Sequence, residues 1–311
     1  MHSQYIRLTQ RKLFTLTIMF YLLSGCASPA AYQEPIIKFQ QASTILIESA
    51  RTEYKSANRM ARNALIDENS EKKADIDIAK LRDSGVISSE DLDVRLNALN
   101  ALSKHGQLLL ALSSSDAPEK AAEAAKSLNS SIVSLNHSID NLRSAQPSGN
   151  IDQAAGAFSK LAALVTKDVL NNKISTALDG AINSSSKPVS ALIILIEDDM
   201  RALSVKRQKV ISAARVRAVD GYRESLNKGA DQIKKSVSEL KAAEDNWDNN
   251  LLVSPTPGLE AMRDAHSQLV DYAKSSKKPQ DLSELVDAVD AFSQRVTIVA
   301  EAVKAAKAYR E

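Results

Sequence analysis

The chain has 311 residues, 44% hydrophobic, 25% charged and 4% aromatic, with 9 Gly, 8 Pro and a single Cys. That apolar content supports a packed core and excludes global disorder. The lone Cys excludes a disulfide scaffold and a Cys-ligated zinc site, and the low Gly and Pro content disfavours a sheet protein full of tight turns.

Arg7, Arg11 and Lys12 form a basic n-region ahead of an apolar run of 11 residues, Leu13 to Leu23. A helix needs about 20 residues to span a bilayer, so this run reads as the h-region of a signal peptide. Leu23-Ser24-Gly25-Cys26 overlaps its end and resembles the lipobox of bacterial lipoproteins. The resemblance implies removal of residues 1–25 and a covalent diacylglycerol and acyl chain on Cys26; no other cofactor is expected. Several acyl chains anchor firmly, because each buried methylene adds about 0.8 kcal/mol. In the enteric form of lipoprotein sorting, Asp after the Cys favours inner-membrane retention. Ala27-Ser28 therefore implies the bacterial outer membrane, on its periplasmic face.

Removing Arg7, Arg11 and Lys12 from 40 basic residues leaves 37 against 38 acidic ones, a net charge of −1. Near-neutrality argues against nucleic acid as a partner, since that binding draws on clustered basic charge. The longest later apolar run, Ala191 to Ile196, has only six residues.

Residues 26–35, with Pro29 and Pro35, read as a lipidated tether that reaches at most about 30 Å. Beyond it, Phe39, Ala42, Leu46, Ala50, Ala57, Ala61 and Leu65 recur at helical spacing and predict a long amphipathic helix from Ile36 to about Asp67. A short helix is expected over Glu71 to Leu81. Ser88-x-x-Asp91 resembles a capping box and opens a helix to about Leu112; Asp116-Ala-Pro118-Glu119 opens the next, to about Ala145. Asn150-x-x-Gln153 starts a connecting helix that Ser184-Ser-Ser-Lys-Pro188 is expected to close. From Pro188 to about Leu252 the pattern predicts one very long helix, or two bending near Gly221 or Gly229. Helices from about Gly258 to Lys274 and Gln280 to Tyr309 complete the chain.

His105-Gly-Gln-Leu108 matches His266-Ser-Gln-Leu269 at an offset of 161, which also pairs Ser114-Ser115 with Ser275-Ser276, Pro118 with Pro279 and Glu123 with Glu284: seven identities in 19 positions. The expected architecture is all-α, an elongated bundle of long antiparallel helices with an internal duplication. Helical repeats at 36–149 and 188–311 flank the connecting helix at 150–187. Met262-Arg-Asp-Ala-His-Ser-Gln-Leu269 and the hairpin after it resemble helical proteobacterial lipoproteins with no assigned function, which implies an architecture and no activity.

No catalytic motif emerges. His105, His137 and His266 lack a second ligand at i, i+4, so no metal site is expected; the equivalence of His105 and His266 points to a shared packing or hydrogen-bonding role. Glu197-Asp-Asp199 reads as a solvated acidic turn, and Trp247 as packing its helix end against the Pro255 turn, with a partner-contact anchor as the sharper alternative. Arg201, Lys206, Lys209, Arg215, Arg217 and Arg223 share one arc of a helix, from which Arg207 is excluded. They are either a solvated face neutralised by neighbouring acids or a contact surface for an anionic partner. These features predict a non-enzymatic lipoprotein, a structural or protein-interaction module with an envelope protein as partner and no small-molecule substrate. A membrane-active or pore-associated helical protein is the alternative.

Overall fold

The computed structural model describes residues 30–114, 117–143, 174–251 and 254–308. They form α1 (Ala30–Glu71), α2 (Ile78–Asp83), α3 (Ser89–Ser113), α4 (Ala117–Arg143), α5 (Ile174–Ser225), α6 (Ala230–Leu251), α7 (Thr256–Lys274) and α8 (Pro279–Ala308). The described residues contain no strand, and the protein is an all-α bundle. The leader, Cys26, the Asp116 start signal and the Asn150-x-x-Gln153 start signal lie outside the described residues.

Two long helices form the spine. Along α1 the apolar positions recur every three or four residues, and Tyr32, Ile36, Phe39, Leu46, Ala50, Tyr54 and Ala57 are none of them more than 3% exposed. α5 runs parallel beside α1: Tyr32 meets Asp179, Tyr54 meets Asp199, Glu53 meets Arg207 and Glu71 meets Arg217. The remaining major helices return along this spine. α3 lies antiparallel to α1, with Gly106 beside Gln40 and Ile87, two residues ahead of α3, held by Asn58. α7 and α6 together lie antiparallel to α5, through Asp179 with Lys277, Glu197 with Arg263, Arg215 with Glu244 and Ser225 with Ser236. α4 packs chiefly on α3, while α8 packs on both α7 and α1.

Prolines do not end the long helices. α1 begins six residues before the expected start and carries Pro35 inside it; α5 passes through Pro188, where a stop was expected, so 174–187 is continuous with the segment that follows. An interior proline loses one backbone hydrogen bond and clashes with the preceding turn, at about 3 kcal/mol. The apolar register across the site outweighs that, because Leu178, Ile182, Val189, Leu192 and Ile196 are all fully buried on one face. The bend expected near Gly221 or Gly229 is a full chain reversal between Ser225 and Ala230, closed by the Lys228 amide donating to the Ser225 carbonyl at 2.8 Å.

The expected short helix is confined to Ile78–Asp83, capped by Asp77 accepting from the Ala79 amide. α1 continues instead to Glu71 and stops at Lys73 in the left-handed region, φ 51°. There the Ala74 and Lys73 amides donate to the carbonyls of Asn69 and Ser70, which satisfies two orphan acceptors. The predicted cap at Ser88 is present, its Oγ accepting from the Asp91 amide at 3.0 Å.

The two hairpins match locally. Ser114 and Ser275 cap α3 and α7 in the same way, each donating through both N–H and Oγ to the carbonyl three residues earlier. Positions 98, 101, 105, 108 and 109 of α3 are buried, as are their counterparts 259, 262, 266, 269 and 270 of α7. The match does not extend outward, because α8 has a second helix against it and the interior prolines of the spine are separated by 153 positions rather than 161.

Leu108 and Leu269 are both 0% exposed, so Leu108→Ala and Leu269→Ala should each destabilise by about 2–5 kcal/mol in denaturant melts, while Lys126→Ala, on an exposed position, should change little. The Asn58 amide donates to the Ile87 carbonyl and its oxygen accepts from the Ile87 amide, both at 3.0 Å, and the approach is close enough that a Cβ on Gly85 would lie 2.9 Å from Asn58. Asn58→Ala strands both backbone groups of Ile87 and should lower stability by about 1–3 kcal/mol.

Candidate functional site

Polar side chains cross the spine at mid-height. Glu53 of α1 and Arg207 of α5 form an ion pair with side chains 6% and 1% exposed. The Tyr54 hydroxyl donates to Asp199 at 2.9 Å, and Arg95 of α3 donates to the same carboxylate at 2.9 Å while holding Asp91 at 2.8 Å. Burial and the Asp199 carboxylate push the Tyr54 hydroxyl far above its ordinary range, so it remains a donor. Glu197, 3% exposed, takes Arg263 of α7 at 2.8 Å and Arg201 of its own helix. Glu197-Asp-Asp199 is therefore not a solvated acidic turn. Two of its carboxylates are held by arginines of neighbouring helices, and only Asp198, at 67%, faces water. The expectation failed because its partners come from α3 and α7, distant in sequence. Arg207, the basic residue outside the predicted arc, turns inward instead to Glu53.

His105 and His266 meet each other. Their rings are 5.7 Å apart, edge to face, between α3 and α7, and each is at most 2% exposed. His266 Nε2 lies 3.5 Å from Ser185 Oγ, and the His266 ring packs near Phe39. The shared packing role holds, with the addition that the repeat-equivalent residues touch. Burial pulls both imidazoles down, His105 to about 3 with the neighbouring His266 adding to the effect, and His266 to about 4. His137 is exposed on α4. Among the described residues no group of three or more His, Cys, Asp or Glu side chains is placed to hold a metal.

At the N-terminal end of α1, Lys277 closes a node that the sequence did not reveal. Its ammonium donates to Asp179 at 3.1 Å, to the Tyr272 carbonyl at 2.8 Å and to the Tyr32 hydroxyl, and sits 4.7 Å from the centroids of both tyrosine rings. Lys277 takes a left-handed φ of 58° to get there.

The six basic residues of the predicted face do not converge. Arg201 is shared among Glu197, Asp198 and Glu260; Arg215 holds Glu244 at 2.6 Å; Arg217 lies 3.8 Å from Glu71; Arg223 holds Asp220 at 3.0 Å. Lys206 donates to the Val86 carbonyl at 3.4 Å. Lys209 and Arg217 line one shallow groove on α5, together with Val205, Gln208, Ser212, Ala213, Val216 and Trp247. Trp247 faces α5, with the Arg215 guanidinium 5.3 Å from its ring centroid. The antiparallel run of α6 along α5 brings it there.

The histidine pair sets a pH dependence. Both groups titrate lower in the folded chain than in the unfolded one, so their stabilisation is fully present above the unfolded value of 6.5 and is lost as pH falls from there towards 4 and 3. Unfolding free energy should fall by about 2–3 kcal/mol per pH unit below pH 6 as the unfolded chain takes up two protons. His105→Leu with His266→Leu should flatten that slope in urea melts between pH 7 and pH 5.

No protein-family model, curated protein or solved structure matches this chain.

Proposed function

We propose that the protein is a non-enzymatic outer-membrane lipoprotein, held on the periplasmic face by acyl chains on Cys26 and acting as a structural or protein-interaction module for an envelope protein. The observation that carries the reading is the lipobox Leu23-Ser24-Gly25-Cys26 lying only four residues ahead of the 42-residue helix α1. A chain anchored at Cys26 would hold the Lys277 node beside the bilayer. At 1.5 Å per residue, α1 would carry its far end roughly 60 Å away. The same reading takes the local match of the α3–α4 and α7–α8 hairpins as the trace of an internal duplication, in which two copies of a helical unit were joined along α1 and α5.

Feeding cells radiolabelled palmitate should label the protein, and Cys26→Ser should abolish both the label and its sedimentation with outer membranes. Equal labelling of both proteins would remove the anchor from this proposal. Crosslinking in intact cells should then recover an envelope protein, whereas leakage of liposomes by the purified chain would favour a membrane-active role.

A further inference from the structure

We draw no further inference here: the strongest candidate, the buried His105–His266 pair where α3 meets α7 in the core, carries nothing beyond the pH dependence already derived from it, and no third His, Cys, Asp or Glu among the described residues joins it to hold a metal.

Discussion

The register of α1 against α5 depends on charges buried between them. Glu53 and Arg207 are almost completely removed from water, and each is tolerable there only opposite the other. Sliding one helix along the other by a turn, about 5.4 Å, would strand both, and an uncompensated buried charge costs about 3–5 kcal/mol. Tyr54 with Asp199 and Arg95 adds a second fixed height, and Glu197 with Arg263 ties α7 to the same level. Apolar seams rich in alanine and leucine could pack in several registers; these polar pairs admit one. Pairing α1 with α5 in parallel then dictates that α3 and α7 return antiparallel, which brings His105 against His266 and sets Leu108 and Leu269 into the core.

Below the belt, towards the start of α1, the bundle is several helices thick. The aromatic side chains gather there, with Phe39 5.5 Å from Phe292 and Tyr32 4.9 Å from Tyr272. Above it, Ile211 is one of few fully buried apolar residues, and α5, α6 and the end of α1 form a thin extension joined by Arg215 with Glu244 and Arg217 with Glu71. Exposed ion pairs of this kind contribute little each. Local stability follows buried contact, so the extension is the part that opens most readily, and the body is the part that resists.

Much of the architecture was legible because helical periodicity is local. The apolar spacing from Phe39 to Leu65, the cap at Ser88, a break near Gly229 and the paired hairpins around Pro118 and Pro279 all depend on residues within a few turns of one another, although the full reversal at that break was expected only as a bend. Proline misled at Pro35 and Pro188, where a local rule predicted a boundary and burial of the flanking face overrode it. Cys26 and the charge pattern of residues 1–25 are read from the sequence alone, since they lie outside the described residues.

What no reading of the chain could supply is which distant residues share a level. Glu197 and Asp199 look like part of a wet acidic turn until α3 and α7 bring Arg95 and Arg263 to them. His105 and His266 look equivalent, but their contact arises only when α3 and α7 converge across the spine. Trp247 and Val216 are 31 positions apart, and α6 folding back along α5 makes them one groove. Secondary structure follows from interactions a few residues long, which the sequence displays directly; the sites of this protein arise from lateral packing of helices, whose partners are set by complementarity among surfaces that the linear order does not show.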